Sequence, residues 1–204
     1  GITFNDPSVD DLCLLDHAVV EYGNPNITLS YASPTIRNSV IRNSQGTPPY
    51  SGYGIYCQYS DPLIEGNIIE NSAMYGIYLQ GCTSPVIQGN EIRYDSSHFN
   101  PPNDYGIYFY GSTAAVIQNN LRVDHNIYFS TANSAGNPTI LGNRFNNYSS
   151  YPVRIEADAV DEYFDYNTIN DKFAGRPINV IGETIVTSAT WRDQSDMPYI
   201  IAVS

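Results

Sequence analysis

Positive charge is what this chain has least of. Lys and Arg together number nine against 21 Asp and Glu, the formal net charge is −12, and Lys172 is the single lysine. Nucleic acids and anionic membrane surfaces both require basic patches, so no nucleic-acid partner is expected. No apolar run approaches the 18 or so residues that a spanning helix needs, so no membrane insertion is expected either. No stretch resembles a signal peptide and the chain starts at Gly1 without a methionine, which suggests a processed or excised segment. The three cysteines permit at most one bridge: Cys57 falls at an inward position and reads as a buried thiol, Cys82 lies in a turn, and Cys13 sits at a strand edge. Gly-x-Ser-x-Gly, phosphate-loop and Cys-x-x-Cys motifs are missing. His17, His98 and His125 are too scattered for metal-ligand spacing, so no metal site is assigned.

What is present is repetition. Gly54-Ile55-Tyr56-Cys57 followed by Pro62-Leu63-Ile64-Glu65-Gly66-Asn67-Ile68-Ile69 returns as Gly76-Ile77-Tyr78-Leu79 with Pro85-Val86-Ile87-Gln88-Gly89-Asn90-Glu91-Ile92. Third and fourth copies read Gly106-Ile107-Tyr108-Phe109 with Val116-Ile117-Gln118-Asn119-Asn120, and Ile127-Tyr128-Phe129 with Pro138-Thr139-Ile140-Leu141-Gly142-Asn143. Taking Asn67, Asn90, Asn120 and Asn143 as equivalent gives steps of 23, 30 and 23 residues. A period of this size signals a solenoid, in which each repeat buries its apolar side only against its neighbours.

Within each copy the apolar residues alternate over short runs, the periodicity of strands, and Gly, Asn, Ser and Pro punctuate the runs as turns do. No window reads as a helix. Short strands repeated at one register stack in parallel ~4.8 Å apart, one rung per coil. The chain thereby resembles the right-handed parallel β-helix proteins of the pectate-lyase-like superfamily, with the short Gly/Asn-punctuated repeats of surface proteins. The resemblance implies an all-β, single-stranded right-handed parallel β-helix of about 7–8 coils over residues 1–182. Residues 183–204 are expected to form C-terminal strands, the start of a further module or an assembly contact.

Stacking turns repeat positions into columns. Outward on the first strand stand Thr28, Tyr56, Tyr78, Tyr108, Tyr128 and Arg154, flanked by Tyr53, Tyr75 and Tyr105. These rings would stack on one another and on the guanidinium, or would form a flat strip that holds sugar rings. Tyr56, Tyr78, Tyr108, Tyr128 and Arg154 are therefore the candidate ligand-binding residues. Two further files, Arg42-Glu70-Arg93 and Arg37-Glu65-Gln88-Gln118, suit exposed pairing, and the asparagines at the bend suit a ladder of side-chain amides.

For catalysis the densest acidic stretch, residues 154–165, offers Glu156 and Asp158 beside Tyr128 as weak candidates for a carboxylate pair or a calcium site; an acidic solvated turn is the plainer reading. The loops at 44–52 and 95–104 should project from one edge of the rod. The leading expectation is a non-catalytic extracellular or cell-surface module acting as scaffold, adhesin or end-to-end stacking fibre subunit, self-associating through uncapped ends. The alternative is a carbohydrate-binding β-helix, or a polysaccharide lyase or hydrolase, using the tyrosine strip.

Overall fold

The computed structural model describes residues 1–6, 10–46, 51–94, 105–123, 125–129, 138–146, 151–156, 164–165, 167–169, 177–181 and 197–202. Strands follow one another around a coil in threes. The first five turns are β1 (Ile2–Asn5), β2 (Leu14–Asp16) and β3 (Val19–Glu21); β4 (Ile27–Ser30), β5 (Thr35–Arg37) and β6 (Val40–Arg42); β7 (Tyr53–Gln58), β8 (Leu63–Glu65) and β9 (Ile68–Glu70); β10 (Tyr75–Gln80), β11 (Val86–Gln88) and β12 (Glu91–Arg93); and β13 (Tyr105–Tyr110), β14 (Ala115–Ile117) and β15 (Asn120–Arg122). The stack goes on through β16 (His125–Phe129), β17 (Thr139–Leu141), β18 (Arg144–Phe145), β19 (Val153–Glu156), β20 (Phe164–Asp165), β21 (Thr168–Ile169), β22 (Ile178–Ile181) and β23 (Tyr199–Ala202).

Three parallel sheets result. The first runs β1-β4-β7-β10-β13-β16-β19-β22-β23, the second β2-β5-β8-β11-β14-β17-β20, and the third β3-β6-β9-β12-β15-β18-β21. The expected fold class is the observed one, an all-β parallel solenoid. The regular part is shorter than the 7–8 coils expected: about five turns carry a strand of three or more residues on every side, whereas β18, β20 and β21 shrink to two. Beyond them, among the described residues, β22 and β23 extend the first sheet. After the first strand each of the first five turns carries two short strands, bent in the third and fourth turns at the pairs Gly66-Asn67 and Gly89-Asn90.

On the middle rungs the first side buries a second residue, as with Leu79 beside Ile77, and every side sends an aliphatic into the core. Ile55, Ile64 and Ile69 do so in the third turn, Ile77, Ile87 and Ile92 in the fourth, and Ile107, Val116 and Leu121 in the fifth, all at most 1% exposed. Such a side chain contributes about 1.5–3 kcal/mol by leaving water. Inside the first sheet Phe109 and Phe129 stack with centroids 4.2 Å apart. The three cysteines are free thiols, with Cys57 and Cys82 buried and Cys13 half-buried.

Many of the described corners are made by a residue in the left-handed region, among them Tyr22, Asn43 and Asn71 after the third strands. At the second corner, between the second and third strands, the series is His17, Asn38, Gly66, Gly89, Gln118 and Gly142, with φ between 50° and 62°. At the first corner it is Tyr31, Tyr59, Gly81 and Gly111. These residues continue the backbone ladder: the Gly66 N–H donates to Gln88 O and the Tyr59 N–H to Gln80 O. Turning through one left-handed residue lets a strand as short as three residues bend without losing its hydrogen bonds. Among the described residues the helical element is a single 3-10 turn, Asp10–Leu12, and no helix is long and apolar enough to cross a membrane.

Candidate functional site

Register brings the tyrosines into line. Thr28 pairs with Tyr56, Tyr56 with Tyr78, Tyr78 with Tyr108, Tyr108 with Tyr128 and Tyr128 with Arg154, in the column expected from the repeat. Tyr78 and Tyr108 stack with centroids 5.3 Å apart and planes 11° apart, Tyr108 and Tyr128 at 5.1 Å and 12°. Tyr56 meets Tyr78 at 5.5 Å with a 45° tilt. The flanking file interleaves with this one: Tyr53 lies 5.1 Å from Tyr78, Tyr75 4.7 Å from Tyr108 and Tyr105 4.6 Å from Tyr128. The Arg154 guanidinium caps the file 4.6 Å over the Tyr128 ring and donates from Nη1 to the Tyr128 hydroxyl. The Tyr56 hydroxyl donates to Gln80 Oε1.

Tyr53, Tyr75, Tyr78, Tyr108 and Tyr128 meet face to face in this double file, whereas Tyr105 meets Tyr108 and Tyr128 edge-on. Burial, followed by the neighbouring tyrosines, pushes the Tyr75 and Tyr78 phenols well above the usual range. Tyr53, Tyr56 and Tyr105 move the same way, again chiefly through burial. Those five phenols are thereby held in their protonated form, and their chemistry is stacking and hydrogen bonding. Of the weak catalytic candidates, Glu156 ends β19 opposite Ile181, with its side chain outside the described residues, and Asp158 lies outside them altogether. Residues 95–104 and 47–50, most of the two expected edge loops, also lie outside them. Among the described residues no group of three or more His, Cys, Asp or Glu could hold a metal ion.

The amide ladder occupies the second corner, with one correction. Asn67, Asn90 and Asn143 form the ladder expected at the bend, buried from water, but the third member is Asn119, not Asn120, and Asn167 adds a fifth. The Asn67 N–H donates to Asn90 Oδ1 at 2.9 Å, the Asn90 N–H to Asn119 Oδ1 at 2.9 Å and the Asn119 N–H to Asn143 Oδ1 at 2.9 Å. Each Nδ2 donates to the same oxygen above and to a strand carbonyl below, as Asn90 Nδ2 does to Ile64 O at 2.9 Å. Ser39 begins the column in place of an amide, its Oγ accepting from the Ala18 N–H. The physical reason for the shift is that Gln118 takes the left-handed corner filled by glycine in the turns on either side, φ 52° against 62° at Gly89. Ile117 then pairs with Gln88, so Gln118 leaves the outward file predicted for it, and Asn120 opens β15 with its Oδ1 accepting from Asn146 Nδ2.

The outward charges behave as short-range pairs. Arg93 holds Glu70 at 2.8 Å and Glu91 at 2.9 Å, whereas Arg42 pairs with Glu21 at 2.7 Å, one turn below, rather than with Glu70. Along the second corner Asn38, Glu65, Gly66, Gln88, Gly89 and Gln118 line an open groove of about 450 Å³, with Gln88 Nε2 donating to Glu65 Oε2 at 3.0 Å.

Two features of the first corner escaped the sequence reading. Asp61 accepts from the N–H groups of Thr83 and Ser84 at 2.8 and 2.9 Å and from the Thr83 hydroxyl at 2.8 Å, tying one turn to the next. Burial raises its carboxyl, but these hydrogen bonds outweigh it and hold the group below its ordinary range. Tyr31 and Tyr59 stack with centroids 5.0 Å apart and stay 59% and 49% exposed. The available signal was positional: both follow the first strand directly, where the next two turns carry Gly81 and Gly111.

No curated protein and no solved structure matches the chain. The family model described as the right handed beta helix region matches residues 25–187, and with that span the chain belongs to the right-handed β-helix family.

Proposed function

We propose that this chain is a non-catalytic β-solenoid module that serves outside the cell or at its surface as a stiff scaffold or adhesin stalk. The observation that carries this reading is the use of the columns: the tyrosine faces are stacked on one another and the buried asparagines donate and accept along the rod. Residues committed to holding neighbouring turns leave little of the strip for a ligand's ring face. A net charge of −12 and the wealth of Tyr, Asn, Ser and Thr suit an extracellular, self-repelling surface. Carbohydrate binding or degradation by Tyr56, Tyr78, Tyr108, Tyr128 and Arg154 has less support, because the faces that would receive sugars are occupied.

Incubation with neutral and acidic polysaccharides, with and without calcium, should release no new reducing ends or unsaturated products. Release by the purified chain would overturn the reading. Protease shaving of intact cells should remove the module, and full protection would refute the location.

A second observation favours contact at the ends. Ile2, Leu14 and Val19 on the first rung and Ile200 and Ile201 on the last strand are 37–61% exposed, along strand edges able to accept another rung. In this reading each end meets a further coil, from the same chain or a second copy. Leu14→Lys with Val19→Lys should abolish concentration-dependent association in light scattering, and an unassociated starting chain would remove the second-copy version.

A further inference from the structure

The tyrosines of this rod differ in how freely their rings can react. In the file Tyr78 touches Tyr53, Tyr56, Tyr75 and Tyr108, so its ring cannot turn without displacing its neighbours. At the first corner Tyr31 and Tyr59 meet only each other among the described rings, with centroids 5.0 Å and planes 23° apart, and stay 59% and 49% exposed. A Cβ at Gly81 would lie 2.4 Å from the Tyr59 ring. With one face against Tyr31 and the other against this backbone, Tyr59 meets water through its rim, the part of a phenol that carries the hydroxyl and the ortho carbons. Both tyrosines adopt the left-handed backbone, φ 53° and 48°, which is costly for a bulky residue, and glycine fills the same place at Gly81 and Gly111. The fold does not require rings at these two positions, and strain that the fold does not require points to a use. The Tyr31 N–H donates to Gln58 O at 3.0 Å and the Tyr59 N–H to Gln80 O at 2.8 Å, so the two residues stand in equivalent places one rung, about 4.8 Å, apart. Tyr22 and Tyr110 are 62% and 42% exposed but have no ring neighbour among the described residues.

We propose that Tyr31 and Tyr59 form a site of oxidative coupling, at which a haem peroxidase charged by hydrogen peroxide joins the two rings into a dityrosine and staples the second turn to the third. Each phenol gives up one electron to the oxidised haem and its hydroxyl proton to water. The two phenoxyl radicals then form one carbon–carbon bond between ortho positions, and the hydrogen on each of those carbons passes through solvent to the oxygen of its own ring, which restores both hydroxyls. In sum the pair loses two electrons and two protons, and one hydrogen peroxide takes them up to become two waters. Held side by side, the two rings react as one molecule rather than waiting for a second. In the file, burial holds the Tyr75 and Tyr78 protons in place and the interleaved rings block the turn that bonding needs. A link between residues 31 and 59 closes the intervening chain and restrains its unfolded state as a disulfide does. The proposal stands on the geometry of the corner and does not depend on the scaffold role or the location given above.

The test treats the 204-residue chain, at high dilution, with a haem peroxidase and limiting hydrogen peroxide. The monomer should gain dityrosine fluorescence and lose the mass of two hydrogen atoms. Trypsin cuts after Arg37 and Arg42, which parts residues 1–37 from residues 43–93, so these two peptides should leave the treated monomer as one. Tyr31→Phe and Tyr59→Phe each keep a ring that stacks, should melt as the parent does, and should abolish the linked peptide. Tyr78→Phe with Tyr108→Phe should couple as the parent does, and the linked parent should melt above the untreated one. The proposal falls if the monomer gains no dityrosine, if the link persists in either single variant, or if the file variant is the one that loses it. It falls also if dityrosine appears only between molecules, or if the linked chain melts below the untreated one, which would mean that the bond forms only by prising the corner apart.

Discussion

At the second corner each turn presents the next with a side-chain amide at 2.9–3.1 Å, sealed from water; on the outer face of the first sheet each turn presents a phenol ring at 5.1–5.5 Å, partly in water. Both columns hold successive rungs in register, but they fail differently. A buried amide that loses its partner leaves donors and acceptors with nothing to bind, whereas a ring that loses its neighbour exposes some apolar area to solvent that is already close by. The amide column should therefore be the brittle one and the tyrosine column the tolerant one.

Asn90→Ala tests the brittle side and should have the largest effect. It strips the acceptor from the Asn67 N–H and Nδ2 and the donor from Ile64 O, so urea denaturation should show a loss of about 4 kcal/mol, at 1–3 kcal/mol per orphaned group. Tyr78→Ala should cost about 2 kcal/mol in the same measurement, and Tyr78→Phe much less, because the stack needs the ring and not the hydroxyl. If Tyr78→Ala proves costlier than Asn90→Ala, the ranking of the two columns is wrong.

Alkali should separate them further. Tyr75 and Tyr78 have folded-state pKa values raised by burial, so the unfolded chain gives up protons that the folded chain retains. The stability they confer is complete below about 10, the ordinary tyrosine value, and is lost as pH rises beyond it. Thermal melts at successive pH values should show Tm falling from there, in step with tyrosinate absorbance; an amide ladder adds no such term. Acid acts on the first corner by the opposite sign. The Asp61 carboxyl is held low by Thr83 and Ser84, so its contribution is present above about 4 and fades as pH drops below that, and Asp61→Asn should flatten that limb of the melt profile. Smallest of all, Arg93→Ala should cost under about 1 kcal/mol, since its pairs with Glu70 and Glu91 lie at the surface.

Much of this was legible from the repeats. Matching Val153-Arg154-Ile155 to Ile127-Tyr128-Phe129 foretells the pairing of Tyr128 with Arg154, and matching Leu14–Tyr22 to residues 35–43 foretells that of Leu15 with Ile36. The reading slips at the third copy, where two asparagines adjoin and a glutamine stands in the place of glycine. Letters alone favour Asn120, whereas the left-handed turn at Gln118 selects Asn119. Asn167 could have been found by stepping 24 residues from Asn143, and Tyr59 by its alignment with Gly81.

Alternation of apolar residues with a recurring period determined by itself that short strands stack in parallel, because only in that arrangement does every repeat hide its aliphatics against the next. Tertiary structure alone decided where the aromatic faces point. Side-chain torsions and left-handed corners are set by contact with the adjoining turns, so the same residue type is spent on its neighbours at Tyr78 and left open to solvent at Tyr31 and Tyr59.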